Sequence, residues 1–221
     1  MWSDLGLPWQ VALEQAWEAY RAGTVPIGAV ILDGESQVVA RGRNRILDEE
    51  YLPGQINRNQ LAHAELNALL QINRSSHQTH ACTIYTTIEP CPLCMGAIYM
   101  SGVRNIQYAA RDSYAGSTDL LGTTPYLSRK PIKVNGPQFG ELEDFALGLV
   151  VVFELNIRPQ RTEELHSTLL NSWRSVVPRA VTLGERLWEN RILHAANHND
   201  VPLSQVFDMV IHLHQELFSH E

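Results

Sequence analysis

The sequence predicts an α/β protein whose helices cover the faces of a sheet, followed by a helical extension. Apolar runs typical of buried strands, at 25–32, 83–87 and 105–110, alternate with segments whose apolar residues recur at three- and four-residue steps. Because strand–helix–strand units place their strands in parallel, this alternation indicates a sheet with parallel neighbours and helices on its faces. After Pro159 only the helical pattern continues. We therefore expect a first domain over 1–158 and a helical extension over 159–221.

The first domain opens with a helix and a hairpin. The helix is predicted over 9–22, and Gly23 ends it. A buried strand over 25–32 is joined by a turn at 33–36 to a second strand over 38–40, so the two strands should pair as a hairpin.

A long polar connection over 46–60 follows, and we expect it to wall a pocket, since loops of this length beside an active site are often functional. A helix is predicted from His63; it carries Leu66, Leu69, Leu70 and Ile72 and breaks at 73–77. A strand over 83–87 and a helix over 93–101 follow, with Ile98 and Met100 in the core and Gly102 as the cap. The remaining predicted elements are a strand over 105–110, a rim loop over 112–124, a short strand over 132–134 and a helix over 141–156, where residues 149–153 also have strand propensity.

Three helices are predicted after Pro159. Their apolar stripes run over 165–176, 183–192 and 203–218, and such stripes must be buried against each other, the first domain or another chain. Four of the histidines in this segment lie close together in the sequence, and without a cysteine or an ordered carboxylate to complete a second metal site we expect them to be solvated: His194, His198, His212 and His214.

Two short stretches carry the chemistry, Leu61-Ala62-His63-Ala64-Glu65 and Ile88-Glu89-Pro90-Cys91-Pro92-Leu93-Cys94. His63 offers an imidazole, and Cys91 and Cys94 offer two thiolates, which makes three protein ligands where a structural zinc site uses four. A zinc with three protein ligands keeps its fourth position for water, which is the catalytic arrangement. Glu65 is then the candidate to move the proton of that water.

The spacing restricts how these residues can meet. Residues two apart do not face each other on a helix, so His63 and Glu65 reach one ion only if it lies beyond a helix N-terminus. One helical turn can present both Cys91 and Cys94, and Pro90 suits a helix start. We therefore expect two helices to direct their N-termini at one zinc ion, where their dipoles favour thiolates.

Simpler interpretations exist for each residue. Cys91 and Cys94 could form a structural zinc knuckle or a redox pair, with Cys82 as a fourth ligand, although Cys82 opens an apolar run and free cysteine packs as a small apolar group. Glu65 taken alone would be a solvated helix carboxylate. The combination of the two stretches favours the catalytic interpretation.

Composition argues against wholesale binding of polyanions. The 221 residues include 17 basic and 24 acidic side chains, for a net charge of −7. Three cysteines, two of them assigned to a metal, leave no disulfide framework, and the N-terminus shows no signal run. We expect a cytoplasmic protein that does not enter the membrane, since no run approaches the about 18 apolar residues of a span.

Three residues are candidates for contact with a planar substrate. Asn44 could hydrogen-bond to the edge of a base, with turn chemistry as the alternative. Gly28 would let a flat ligand lie close to the backbone, with simple close packing as an equal alternative. Tyr114, in the rim loop, could stack on a base or be a surface turn residue.

Taken together, these motifs resemble a known superfamily. His-Ala-Glu at 63–65, followed by Pro-Cys-Pro-Leu-Cys at 90–94, matches the pattern of zinc nucleobase deaminases and is similar to the cytidine-deaminase-like superfamily. Four stretches resemble the branch that holds tRNA adenosine deaminase and guanine deaminase: 25–30, 42–45, 89–98 and 110–112. The resemblance covers roughly residues 9–158.

The resemblance implies a three-layer α/β/α sandwich with a five-stranded mixed sheet, one Zn²⁺ per chain and a homodimer. It also implies that Asn44 contacts the base. With Pro26 and Ala64 added, the full set of predicted substrate-binding residues is Pro26, Gly28, Asn44, Ala64 and Tyr114.

Departures from the family pattern concern the substrate rather than the zinc. Members usually carry Asp-Pro-Thr before His-Ala-Glu, whereas residues 59–62 here are Asn-Gln-Leu-Ala, and the 46–60 loop is longer than usual. The basic C-terminal helix of the tRNA enzyme is replaced by a segment with Glu163 and Glu164, and 160–221 has no recognised counterpart.

Three functions follow as hypotheses. The first is hydrolytic deamination of a free nucleobase, a nucleoside or a related aminated heterocycle, with release of ammonia. The second is deamination of adenosine in tRNA, which needs a phosphate-binding surface, for which the basic candidates are Arg43, Arg45, Arg104, Arg111, Arg129, Lys130 and Lys133. The third is a structural zinc module whose helical tail binds a partner protein.

Overall fold

The computed structural model describes residues 1–73 and 78–219. Its helices are α1 Leu7–Arg21, α2 Ala64–Leu69, α3 Pro92–Ser101, α4 Glu141–Ile157, α5 Glu163–Val176, α6 Pro178–Glu189, α7 Ile192–His198 and α8 Leu203–Phe218. Its strands are β1 Gly28–Leu32, β2 Val38–Arg43, β3 Thr83–Ile88, β4 Asn105–Ala110 and β5 Lys133–Asn135. Within the described ranges, no helix combines the length and apolar character needed to cross a bilayer.

The five strands form one mixed sheet in the order β2-β1-β3-β4-β5. β1 pairs antiparallel with β2 and β3, whereas β3, β4 and β5 run parallel. Ile31 lies opposite Ile84, which lies opposite Ile106, so one apolar row crosses the three central strands. The predicted hairpin, the parallel neighbours and the five-stranded mixed sheet are confirmed.

Helices cover both faces of this sheet, as the α/β/α prediction requires. On one face, α2 and α3 pack against the apolar row through Ala68, Met95 and Ile98. On the other face, α1 covers Val30 and Leu32, and α4 covers the ends of β3 and β4. The starts of α2 and α3 therefore lie on the same side of the sheet.

The extension packs against the outer side of α4. Every residue of α4 from Glu143 to Glu154 is buried, because one side of the helix contacts the sheet and the other contacts α6. The two helices approach closely at Gly184, where a Cβ atom would lie 2.6 Å from the Cβ of Val151. Phe145 of α4 also meets Phe207 of α8, with ring centroids 4.7 Å apart. The apolar stripes of the extension are thus largely buried against each other and against the first domain, while Val176 and Trp188 are 39% and 43% exposed.

Over its described residues, 159–219, the extension contains four α-helices where the sequence predicts three. Asn190 and Arg191 interrupt the second stripe, and Arg191 takes a left-handed conformation with φ of 53° before α7 begins. The prediction of solvated histidines is wrong for His214, which is buried with its Nε2 2.7 Å from Oδ2 of Asp144 on α4. Sequence periodicity places His214 on α8 but does not show that a carboxylate faces it.

One helix end and one core assignment are also wrong. Helix α2 ends at Leu69, before Leu70 and Ile72, which the predicted helix included. Met100 is 64% exposed, because α3 packs through Met95, Ile98 and Tyr99 and turns Met100 outwards. Most of the predicted break at 73–77 lies outside the described residues.

Candidate metal centre and active site

The three predicted zinc ligands lie at the starts of two helices. His63 is the N-cap of α2 and Cys91 is the N-cap of α3, each with extended backbone. Cys94 follows in the first turn of α3. The proline at the helix start is Pro92, in the first helical position, rather than Pro90. Strand β3 leads into the turn that carries Cys91. The residues after β2 lie beside the segment that precedes α2, because the Arg45 amide donates to the Ala62 carbonyl at 2.8 Å.

The donor atoms of these residues fit a tetrahedral zinc. His63 Nδ1 lies 3.5 Å from Cys91 Sγ and 3.4 Å from Cys94 Sγ, and all three atoms lie within 4.8 Å of one another. Zinc bonds of about 2.3 Å to sulfur and about 2.0–2.1 Å to nitrogen, at a tetrahedral angle, place nitrogen and sulfur about 3.5–3.6 Å apart. The separations therefore match shared ligation, and two thiols with one imidazole are the donor chemistry that zinc prefers.

The two cysteines differ in acidity. Hydrogen bonding with the Cys94 side chain, supported by His63, lowers the pKa of Cys91 to about 4. Hydrogen bonding with Cys91, together with burial and the neighbouring Glu65, raises the pKa of Cys94. Because a cysteine that binds zinc must be a thiolate, binding of a divalent cation to this pair would be coupled to proton release.

Glu65 lies against this cluster. Its side chain is buried, its Oε1 accepts a hydrogen bond from Thr86 Oγ1 at 3.3 Å, and its Oε2 lies 3.3 Å from Cys94 Sγ. Burial is the largest cause that raises the pKa of Glu65. The carboxylate is fixed by strand β3 rather than solvated. The sequence gives no direct signal for the contribution of Thr86, since a threonine in a strand is unremarkable.

Asn44 is buried at the end of β2, and its backbone amide donates to the Ile27 carbonyl at 2.9 Å. Its Oδ1 accepts from Thr24 Oγ1 at 2.9 Å and from the Ile46 amide at 3.1 Å. Because both donors occupy the oxygen, the amide orientation is fixed, and no hydrogen bond within the described residues uses Nδ2. Turn chemistry and a donor for a ligand are therefore both present at Asn44.

The other predicted substrate-binding residues lie in different environments. Gly28 faces α1, where a Cβ atom would lie 2.5 Å from the Ala16 nitrogen, so its geometry favours the close-packing interpretation. Pro26 is buried just before β1, and Ala64 is buried in the first position of α2 beside His63. Tyr114 is 50% exposed.

The 46–60 loop is anchored by two buried arginines, Arg43 and Arg45, whose pairing with this loop was not predicted from the sequence. Asp48 Oδ2 lies 2.6 Å from Arg43 Nη2 and 3.0 Å from Arg45 Nη2. Arg45 is fully buried and also donates to the Glu50 carbonyl and to Gln55. Since both arginines flank Asn44, the loop is fixed directly to the strand end that carries it. A sequence does not distinguish such buried charges from solvated ones.

Two clefts involve the extension rather than the metal ligands. One, of 390 Å³, lies between the extension and the first domain and is lined by residues that include Tyr20, Asn156 and Trp188. The other, of 500 Å³, lies between α7 and α8 and is largely apolar. The assignment of the active site therefore depends on donor geometry rather than on cleft size.

Comparisons with known proteins agree with this geometry. A family model for the cytidine and deoxycytidylate deaminase zinc-binding region matches residues 7–110. The cytosine deaminase of Candida albicans is 33% identical over 113 residues, covering 51% of this chain and 70% of that protein. The chain belongs to the cytidine and deoxycytidylate deaminase family.

Other relatives of this deaminase differ in substrate. The tRNA-specific adenosine deaminase of Rickettsia bellii is 36% identical over 110 residues, covering 49% of this chain and 71% of that protein. A solved structure in complex with 2,6-diaminopurine is 26% identical, with a TM-score of 0.50, and covers 67% of this chain and 82% of its own. Family membership thus establishes a zinc-binding deaminase fold, and the substrate has to be argued from the site.

Proposed function

We propose that this deaminase hydrolyses the exocyclic amino group of a free nucleobase, a nucleoside or a related aminated heterocycle. The observation that carries the proposal is the buried Glu65, which lies 3.3 Å from Cys94 within a cluster of three zinc donors. His63, Cys91 and Cys94 would hold one zinc ion per chain. When bound, zinc lowers the pKa of water towards neutrality and so supplies a nucleophile at neutral pH.

The protein residues then move protons and hold the ring. Glu65 takes a proton from the attacking water and returns protons to the ring nitrogen and to the departing amine. A carbon–oxygen bond forms, the carbon–nitrogen bond breaks, and ammonia leaves. Thr86 keeps the Glu65 carboxylate in place, and Asn44 Nδ2 offers a hydrogen-bond donor to the substrate. Pro26, Ala64 and Tyr114 are proposed to wall the site.

A small substrate is favoured over tRNA because several of the candidate phosphate ligands are already engaged. Arg43 and Arg45 are buried against Asp48. Arg111 Nε lies 3.0 Å from Glu143 Oε1. Three of the seven basic residues named for a phosphate surface thus pair with buried carboxylates, and two of these three, Arg43 and Arg45, are themselves buried away from any surface that a phosphate could reach.

Deamination of adenosine in tRNA is the second candidate, supported by the similarity to the Rickettsia bellii enzyme. The third, a structural zinc module, would need a fourth protein ligand. Cys82 does not join the donor cluster and instead lies with its Sγ 3.7 Å from the Gln78 carbonyl. The donor set found among the described residues therefore fits a catalytic zinc better than a structural one.

Further properties of the protein belong to the same proposal. All three cysteines are free, which suits the reducing cytoplasm. The family resemblance suggests a homodimer, and residues 159–221 are proposed to form an extension to the deaminase domain 1–158.

The proposal is tested by measuring ammonia release from a panel of free bases, nucleosides and nucleotides, with unmodified tRNA in parallel. We expect release from at least one small heterocycle and no tRNA binding with a steep salt dependence. Release from tRNA alone would establish the second candidate. A zinc-loaded protein that is inactive on the whole panel and has four protein ligands would establish the structural module.

A further inference from the structure

The helical extension contacts the loop that follows β4. This loop, residues 112–118, carries Tyr114 and lies beside the start of α3. Asp112 Oδ1 accepts hydrogen bonds from the backbone amides of Tyr114 at 3.0 Å and Ala115 at 3.1 Å. The same oxygen accepts the indole N–H of Trp173 on α5 at 2.9 Å. One carboxylate thus joins the turn of the loop to the extension.

The other side of the 112–118 loop is tied to the segment that precedes Cys91. The Glu89 carboxylate accepts from the Asp112 amide at 3.4 Å, and from the amide and hydroxyl of Thr118 at 3.3 and 2.5 Å. The Ser117 amide donates to the Pro90 carbonyl at 3.0 Å. The loop therefore spans the gap between the extension and the helix start that carries the zinc thiolates.

The contact at Trp173 has the properties of an anchor. Trp173 is 4% exposed and packs among apolar residues of α4 and α6, so its indole cannot follow a moving loop. Its acceptor is a carboxylate, and hydrogen bonds with a charged partner are about twice as strong as neutral ones. A second link, Ser113 Oγ to Ser172 Oγ at 3.0 Å, lies on the surface next to it.

We propose that Trp173 is a positioning residue for the 112–118 loop, through which the helical extension controls how tightly the substrate is held at the metal centre. This inference rests on the proposed deaminase function. Trp173 touches neither substrate nor zinc ligands; it acts through Asp112, which sets the turn that presents Tyr114. Loss of the anchor should weaken substrate binding without affecting the zinc or the proton transfer at Glu65.

The test compares Trp173→Phe with Trp188→Phe. Trp188 is a matched control, because it also lies on the extension and donates its indole N–H to the first domain, at Asn156 Oδ1 over 3.1 Å, away from the loop. Phenylalanine retains most of the apolar contact and removes the donor in both. Two readouts are taken, hydrogen exchange of backbone amides in 112–118 and the separate kcat and KM values for the best substrate of the ammonia panel.

We expect Trp173→Phe to speed hydrogen exchange at the amides of Tyr114 and Ala115 and to raise KM about tenfold, the effect expected from the loss of one hydrogen bond to a charged group. The kcat value should stay within about twofold of wild type, and zinc content should be unchanged. Trp188→Phe should match wild type in both readouts. The proposal is overturned if either readout of Trp173→Phe stays at the Trp188→Phe value, or if kcat falls while KM is constant.

Two further arrangements keep the test decisive. If Trp173→Phe unfolds, Ser172→Ala removes the neighbouring surface link, and faster exchange in the 112–118 loop with a smaller rise in KM is expected; no change in either overturns the proposal. If the wild type deaminates nothing on the panel, the proposed function fails, and the exchange comparison still decides whether Trp173 anchors the loop.

Discussion

Two thiols, an imidazole and a carboxylate are concentrated at the start of α3. His63 Nδ1 lies 3.4–3.5 Å from the two sulfurs, and Glu65 Oε2 lies 3.3 Å from the Cys94 sulfur. Cys94 and Glu65 are both buried there. Burying such groups is unfavourable unless a positive charge balances them. A divalent cation at the centre of the donors is therefore the condition under which these residues are stable in their ionised forms.

Cys94→Ser should abolish tight zinc binding, since a hydroxyl is a far weaker ligand than a thiolate. Mutation of residues that only hydrogen-bond to a zinc ligand lowers metal affinity by about 10–100-fold. Zinc affinity of Cys94→Ser, measured by competition with a chromogenic chelator, should fall by more than that. Cys82→Ser is the matched control, because Cys82 is buried but lies outside the donor cluster. Equal zinc affinity in the two variants would contradict the ligand assignment.

At the scale of elements, two glycines let strands β1 and β2 lie very close to helices α1 and α2, and this close packing positions the site. Gly28 meets α1, and Gly42 meets α2, where a Cβ atom would lie 2.5 Å from the Ala68 nitrogen. Side chains at these positions would push the helices away from the sheet. Because α2 begins at His63, such a shift would also move a zinc ligand.

Gly28→Ala should lower the free energy of unfolding by about 1–3 kcal/mol, the usual effect of overpacking a well-filled core. Gly96→Ala, on α3, is the control, since its Cβ meets no described atom within 4 Å beyond its own helix turn. That change should raise stability by up to about 1 kcal/mol through helix propensity. Chemical denaturation measures both, and a Gly28→Ala protein as stable as wild type would argue against the close packing.

Glu154 gives α4 a pH-dependent contribution to stability. Burial raises the pKa of Glu154 above its usual 4.5, against the opposing effect of Arg161. The folded protein then binds this proton more tightly than the unfolded chain does, so this contribution to stability is lost as the pH rises from 4.5 through the raised pKa. Glu154→Gln removes the titration. The free energy of unfolding of wild type minus that of Glu154→Gln should therefore decrease with pH, and a constant difference would contradict the shift.

The sequence predicts secondary structure well where apolar periodicity is strong. It predicts the surroundings of a side chain poorly where these depend on residues distant in the sequence. The central strands and the hairpin follow from the apolar pattern, and the zinc ligands follow from residue types at fixed spacing, whereas residues 149–153 of α4 also had strand propensity. Met100 and His214 could not be placed, since their surroundings depend on how α3 and α8 are rotated against neighbours. The anchors at Glu89 and Trp173 escape prediction because a hydrogen bond between residues 23 or 61 positions apart leaves no local pattern.

At the scale of the whole molecule, α4 belongs equally to the sandwich and to the extension. One side covers β3 and β4, and the other forms a common core with α6 and α8. The proposed boundary near residue 158 therefore separates two parts of the sequence but not two apolar cores, because residues from both sides of it pack in the same clusters.

Removal of 159–221 should expose Phe145, Leu149 and Val152 on α4, which are at most 2% exposed in the full chain. We expect the truncated protein to aggregate or to lose cooperative unfolding, measured by light scattering and thermal denaturation. A monodisperse 1–158 fragment with a sharp transition would show instead that the extension is dispensable for folding.

The most direct test of the account is the turnover of Glu65→Gln at matched zinc content, using the best substrate of the ammonia panel. If Glu65 carries the proton between water, ring and amine, the variant should retain one zinc per chain and lose ammonia release by about 10²–10⁴-fold, the usual contribution of a general acid–base group. Wild-type turnover in a zinc-loaded Glu65→Gln protein would contradict the central claim.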